Sequence, residues 1–149
     1  MKRIVLASLA CVVLAACTGE SKEASAPAAP AVVTENDLLT HRFELAAING
    51  EAFAAREGRT PEIFFDQGMM VSGSACNRFR GKGEVKDGKL VVKEMASTMM
   101  MCADDTLNTL ERDISAMLAG GAALSLQDGS LTVEGNGVTL TYKKSDAAQ

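Results

Sequence analysis

The 149-residue chain contains no tryptophan, one tyrosine and one histidine, so it is poor in side chains that build many binding and catalytic sites. With so few aromatic rings, it lacks the platforms on which sugars and nucleic acid bases usually stack. No Ser/His/Asp arrangement is apparent, and the lone His41 fits a surface position on a strand better than the role of a general base. We therefore expect a non-enzymatic protein that needs no cofactor.

The chain also lacks an apolar run long enough to cross a bilayer, which takes about 20 residues in a helix. The apolar stretch at residues 4–14 spans only about 16 Å as a helix, and it follows Lys2 and Arg3. It ends in Leu14-Ala15-Ala16-Cys17, which resembles the lipobox of bacterial lipoproteins. This pattern predicts a signal peptide at residues 1–16 and acylation of Cys17, which becomes the N-terminus. The alternative is an ordinary secretory signal with a chance cysteine.

Residues 17–33 are predicted to be the lipidated cysteine and a flexible tether, because the segment is small, polar and proline-containing with no aromatic residue. Such a tether has a root-mean-square reach of about 22 Å. Thr18, where inner-membrane lipoproteins tend to carry aspartate, favours lipid anchoring in the outer membrane with the domain facing the periplasm. One domain is expected at residues 34–144, followed by a polar tail at 145–149.

Positive charge is scarce once the signal peptide has been removed. The mature chain has 13 basic and 19 acidic side chains, a formal net charge of −6. This balance argues against nucleic acid as a partner and against direct binding to an anionic membrane surface. The expected membrane contact is therefore the N-terminal lipid.

Two of the four cysteines remain for the folded domain, because Cys11 leaves with the signal peptide and Cys17 carries the lipid. An even pair, Cys76 and Cys102, in an oxidising compartment favours a disulfide. It would close a loop of about 27 residues and contribute roughly 3.5 kcal/mol. A reactive or metal-binding pair is the alternative, although the spacing fits no zinc pattern.

The hydrophobic pattern predicts an α+β domain, with seven to nine antiparallel strands and one main helix at about residues 104–119 that packs on the sheet or plugs one end of it. Asx-Gly turn signals separate the strands at residues 49–50, 87–88, 128–129 and 136–137. Five apolar residues at helical spacing mark the buried face of the helix: Leu107, Leu110, Ile114, Met117 and Leu118.

Methionines crowd next to the second cysteine of the pair. Met99, Met100 and Met101 precede Cys102 directly, and thioether and thiolate ligands suit Cu(I). A Cu(I) site on these four residues is therefore one hypothesis. The favoured alternative is that the methionines fill irregular gaps in the core, since neighbours along a strand point to opposite faces.

Two segments carry a family resemblance. Residues 73–81, GSACNRFRG, and residues 95–102, MASTMMMC, resemble the two signatures of the META domain, or HslJ, family, and the agreement covers nearly the whole domain, from about residue 34 to residue 144. The family motif falls on six residues besides the two cysteines: Gly73, Asn77, Arg78, Phe79, Thr98 and Met99. The resemblance implies an antiparallel, barrel-like sheet with a packed helix, and it supports pairing of Cys76 with Cys102. Phe43 stands near the place of a tryptophan found in many members.

The resemblance also implies outer-membrane location, heat-shock induction and tolerance to novobiocin, with no established catalytic residues. The leading hypothesis is thus a non-enzymatic envelope-stress lipoprotein that binds or supports an unidentified envelope protein. The alternatives are a Cu(I)- or redox-responsive protein built on the methionines and cysteines, and an inhibitor module of the kind that blocks lysozyme.

Overall fold

The computed structural model describes residues 31–55 and 58–145. The predicted signal peptide, Cys17 and most of the predicted tether lie outside these residues, and so does the polar tail beyond Ser145. None of the helices in the described ranges is long and apolar enough to cross a membrane.

The described residues form nine strands, two α-helices and one 3₁₀ turn at Gln67–Met69. The elements in chain order are α1 (Glu35–Leu38), β1 (Arg42–Ile48), β2 (Glu51–Ala52), β3 (Glu62–Asp66), β4 (Met70–Ser74), β5 (Arg78–Lys86), β6 (Lys89–Ser97), α2 (Asp105–Gly120), β7 (Ala122–Gln127), β8 (Ser130–Gly135) and β9 (Val138–Ser145).

Eight of the strands form a closed antiparallel barrel. From β3 to β9 each strand pairs with the next one along the chain, and β1 pairs with both β3 and β9. The short β2 adds an edge to the end of β1. The narrowest seam joins β6 to β7 through only the pairs Lys89–Ala123 and Leu90–Ala122, where α2 is inserted between the two strands in the chain. This architecture confirms the predicted α+β class and its barrel-like sheet.

Helix α2 packs its apolar stripe onto the barrel, mainly against β6 and β8. All five residues predicted for its buried face are buried, each at most 4 % exposed. The side chain of Asp104 caps the helix by accepting a hydrogen bond from the backbone N–H of Thr106, at 2.7 Å. The predicted helix is therefore confirmed, with its first helical residue at Asp105.

The predicted turns connect the hairpins as expected. Both residues of Asp87-Gly88, Asp128-Gly129 and Asn136-Gly137 have positive φ values, as a two-residue turn of the primed type requires. Strand β5 contains a bulge, because its pairing with β6 shifts register between Arg80 and Lys82.

The packed core already includes the last residue of the predicted tether. Val33, assigned to the end of the tether, is 3 % exposed and belongs to the core. Thr34 is the N-cap of α1, and its backbone N–H and hydroxyl both donate to the Asp37 carboxylate, at 2.8 and 2.6 Å. These hydrogen bonds hold the pKa of Asp37 below its usual value. At the other end, Ser145 still belongs to β9 and pairs with Arg42.

Candidate functional site

The candidate site is the segment that joins β6 to α2. We call residues 98–101, Thr98 and the three methionines, the methionine strap. It crosses the corner where β4 turns into β5, so the two signature segments of the sequence meet in space.

Asn77 ties the methionine strap to the rest of the domain, and it is the one polar residue that is buried among those the structure describes, at 4 % exposure. Its Oδ1 accepts from the backbone N–H of Met100 at 2.7 Å and from the Thr98 hydroxyl at 2.9 Å. Its Nδ2 donates to the Met100 carbonyl at 2.9 Å and to Glu111 Oε2 at 2.8 Å. One side-chain amide therefore fixes both the strap and a carboxylate of α2.

Thr98 and Glu111 extend this network on either side. The Thr98 hydroxyl accepts from the backbone N–H of Arg78 at 3.1 Å, while the Thr98 N–H donates to the Arg78 carbonyl at 3.0 Å. Glu111 Oε2 also accepts from the Asn77 N–H at 3.1 Å, and its other oxygen accepts from the Ser97 hydroxyl at 3.3 Å. The strap is thus held by side-chain contacts where the barrel ladder has ended.

A disulfide holds the far end of the strap. Cys76 and Cys102 are bonded, with a Cα–Cα distance of 5.7 Å. Asn108 on α2 adds two hydrogen bonds to Cys102, accepting from its N–H at 3.1 Å and donating to its carbonyl at 2.9 Å. With both sulfurs in the bond, neither cysteine is a free thiolate.

The strap presents its methionines to solvent. Met99, Met100 and Met101 are 97, 62 and 91 % exposed, whereas Met69 and Met117 are 3 and 1 % exposed. The expectation that the clustered methionines fill the core is therefore wrong for the strap. The backbone of Met100 hydrogen-bonds to Asn77 on the inner side of the strap, and the methionine side chains are left exposed on the outer side.

Metal ligands do not converge at the site. Within residues 31–55 and 58–145, no group of three or more His, Cys, Asp or Glu side chains could hold an ion. The Cu(I) hypothesis assigned a thiolate to Cys102, and that sulfur is bonded to Cys76. Met99, Met100 and Met101 would have to bind an ion without it.

Two grooves flank the methionine strap. The first, which we call the arginine groove, has a volume of about 660 Å³ and is lined by Arg59, Thr60, Glu62, Ser74, Ala75, Cys76, Arg78, Thr98 and Met100. The second, the helix groove, has a volume of about 810 Å³ and lies between the strap and α2. Met100 lines both, so the strap forms the ridge that separates them.

Gly73 and Phe79 support the corner under the strap. They are directly opposite each other on β4 and β5, and the Phe79 ring covers the space where a side chain at residue 73 would stand. A Cβ atom on Gly73 would lie 2.5 Å from Phe79 Cζ and 2.4 Å from the Glu62 carbonyl oxygen. Residue 73 must therefore be glycine for β3, β4 and β5 to keep this geometry.

Replacing Gly73 with alanine is expected to lower the free energy of unfolding by about 2 kcal/mol, because the new methyl group overpacks a closed strand pair. Gly120→Ala is the matched control, since a Cβ there meets nothing within 4 Å and residue 120 ends α2. Its stability should stay the same or rise by about 0.5 kcal/mol. Urea unfolding followed by circular dichroism measures both, and equal midpoints for the two variants would refute the packing role of Gly73.

Of the motif residues named from the sequence, Gly73, Asn77, Phe79 and Thr98 meet at this corner, while the side chains of Arg78 and Met99 point to solvent. Their functional importance stays a prediction. Sequence reasoning missed Glu111 and Asn108. The signal was available: Glu111 lies four residues after Leu107 and three before Ile114, so it borders the buried stripe of α2. Cys17 lies outside the described residues.

The comparisons with known proteins identify the family and the fold. The family model of the META domain matches residues 36–147. The chain belongs to the META domain family. Its relative "Heat shock protein HslJ" of Escherichia coli (strain K12) is 39 % identical over 146 residues, which cover 98 % of each chain.

Two solved structures have the same META fold. One NMR structure is 44 % identical, with a TM-score of 0.71 over 78 % of this chain and 99 % of that one. Another, of a protein from Burkholderia xenovorans, is 23 % identical, with a TM-score of 0.64 over 86 % of this chain and 97 % of that one. At that identity the second supports the fold alone.

Proposed function

We propose that this chain is a heat-shock-related lipoprotein of the outer membrane, held by acylated Cys17, whose META domain acts in the periplasm by binding a partner protein. The relative named as a heat shock protein supports the stress role, and it extends over nearly the whole chain, including the segment with Cys17. The family resemblance adds tolerance to novobiocin as the accompanying phenotype.

The exposed methionine strap is the observation that supports binding. Three neighbouring apolar side chains in water are unfavourable for an isolated domain, and such a patch usually marks a contact surface. Methionine suits this role because its flexible, polarisable side chain adapts to different apolar partners. The backbone beneath is already fixed by Asn77 and by the disulfide, so little conformational entropy remains to be lost on binding.

The composition of the two grooves favours binding over catalysis. His41 lines neither of them; its Nε2 lies 3.3 Å from Lys144 Nζ on the β1–β9 side of the barrel. Of the carboxylates at the site, Glu62 is paired with Arg42 at 2.6 Å and Glu111 is bonded to Asn77. Glu62 and Glu111 are thus engaged in fixed contacts of the domain, which suits a structural role better than proton transfer. The third carboxylate, Asp105, lines the helix groove from the first turn of α2 and is exposed.

Labelling with radioactive palmitate tests the anchor. The unaltered chain is expected to take up label and to fractionate with the outer membrane, because two or three acyl chains make release negligible. Cys17→Ala should lose all label and leave the outer membrane, whereas Cys11→Ala, the matched control inside the signal peptide, should keep both. Full labelling of Cys17→Ala, or fractionation of the labelled chain with the inner membrane, would contradict the proposed location.

Complementation tests the binding surface. In cells that lack the chromosomal copy, a chain with Met99, Met100 and Met101 all changed to serine is expected to fold normally yet fail to restore survival under heat and novobiocin. The side chains are exposed, so the change in folding stability should stay within about 0.5 kcal/mol. Full rescue by this folded triple variant would show that the strap methionines are not the contact surface.

A further inference from the structure

The outer face of β5 carries a row of cations, and the first of them, Arg78, lines the arginine groove. Arg78, Arg80 and Lys82 are all exposed at alternating positions, so their Cα atoms lie about 7 Å apart on one face of the strand. Residues 78–93 hold six of the chain's Lys and Arg residues but only two acidic ones. This segment is therefore locally basic, although the mature chain as a whole has a net negative charge.

The arginines of this row differ from nearby lysines in their hydrogen-bond and ion-pair partners. Lys82 donates to the Gly68 carbonyl, and Lys93 on β6 donates to Glu84 at 2.8 Å. The hydrogen bond between Lys93 and Glu84 lowers the pKa of the Glu84 carboxyl and raises the pKa of Lys93. By contrast, the guanidinium groups of Arg78 and Arg80 form no ion pair or hydrogen bond with any side chain in the described ranges.

The arginine groove brings a second unpaired cation and two hydroxyls next to Arg78. Arg59 also lines this groove, and it too has no ion pair with a described residue. Thr60 and Ser74 also line the groove, and their hydroxyls bond to nothing else in the described part of the chain. Glu62 is the one carboxylate of the lining, and Arg42 neutralises it at 2.6 Å.

We propose that the arginine groove binds a phosphate group, carried either by a phospholipid head group or by a soluble phosphate ester. Two guanidinium groups that line one groove can bind several oxygens of a phosphate, and the hydroxyls of Thr60 and Ser74 can donate to the oxygens that remain. The site does not depend on the methionine strap having a protein partner. A phosphate there would be close to the strap, because Met100 and Thr98 line the same groove.

Titration of the isotope-labelled mature chain, residues 17–149 with Cys17→Ala, with inorganic phosphate tests the site by NMR. The backbone amides of Thr60, Ser74 and Arg78 should shift in a saturable way, with a dissociation constant of about 1 mM, as expected for a few charge-assisted hydrogen bonds. Potassium chloride at equal ionic strength should not reproduce the shifts. Absence of saturable shifts at these amides would overturn the proposal.

Variants and vesicles separate the outcomes. The double variant Arg59→Gln/Arg78→Gln should bind phosphate at least tenfold more weakly, while Arg112→Gln, an exposed arginine of α2, should bind as the unaltered chain does. Equal affinity in the double variant and the control would also overturn the site. Sedimentation with phosphatidylglycerol-containing vesicles, but not with phosphatidylcholine alone, and its loss in the double variant would assign a lipid head group. Phosphate binding without vesicle binding would assign a soluble ester.

Discussion

Removal of the disulfide by Cys76→Ala/Cys102→Ala is expected to lower the free energy of unfolding by about 3.5 kcal/mol. The bond closes a loop with a sequence separation of 26 that contains β5, β6 and the methionine strap. Without it the unfolded chain regains the conformations that the loop excludes, and the folded strap retains only its hydrogen bonds. Urea unfolding of the oxidised chain and of the double variant measures the difference.

Reduction of the unaltered chain provides the internal control for this prediction. The reduced chain and the double variant should have the same free energy of unfolding, within about 0.5 kcal/mol. Cys11→Ala should change nothing in the mature protein, because residue 11 is expected to leave with the signal peptide. Identical midpoints for the oxidised chain, the reduced chain and the double variant would contradict the role assigned to the Cys76–Cys102 bond.

Asn77→Ala is expected to lower the free energy of unfolding by about 3 kcal/mol, since it removes a buried side chain that makes four hydrogen bonds to the strap and to α2. The Met100 N–H and carbonyl lose their hydrogen bonds, and Glu111 loses the amide that it accepts from. No other polar side chain among those described is buried at this corner to replace it. Asn36→Ala, an exposed residue of α1, is the matched control and should stay within about 0.5 kcal/mol of the unaltered chain.

Asn77→Asp distinguishes the hydrogen-bond network from simple packing. The carboxylate would keep an acceptor for the Met100 N–H but would face Glu111 Oε2, which Asn77 Nδ2 contacts at 2.8 Å. Repulsion between the two carboxylates raises a pKa in the folded state, so the loss of stability should be largest at neutral pH and diminish as the pH falls towards about 4. A loss of stability that is the same at both pH values would argue that Asn77 serves only to fill space.

The fold could be predicted from the sequence where its signals are local. Asx-Gly dipeptides between alternating apolar residues specify the hairpins, and the spacing from Leu107 to Leu118 specifies the buried face of α2. Closure of the barrel could not be derived in this way. It depends on pairing of β1 with β9, residues about a hundred positions apart, and alternation within each strand does not identify its neighbour.

The candidate site could be predicted only in part, and the methionines show why. A cluster of apolar thioether side chains next to a cysteine suits either core packing or a Cu(I) site. The methionines instead form an exposed ridge on a fixed backbone, which neither alternative predicted. What fixes the ridge is a set of contacts between Asn77, Met100 and Glu111, which are far apart in sequence. The arginine groove is equally non-local, because Arg59 and Arg78 line the same groove only through the pairing of β3, β4 and β5.

Photo-crosslinking in intact, heat-stressed cells tests the central claim, that the exposed methionine strap is the contact surface of the anchored domain. A photoreactive benzoylphenylalanine replaces Met99 in one chain and Gln127 in the control. Gln127 is exposed at the end of the barrel opposite Ser97, because β7 pairs with the start of β6. The account predicts a discrete protein adduct from residue 99 that residue 127 does not give. No adduct from residue 99, or the same adducts from both residues, would contradict it.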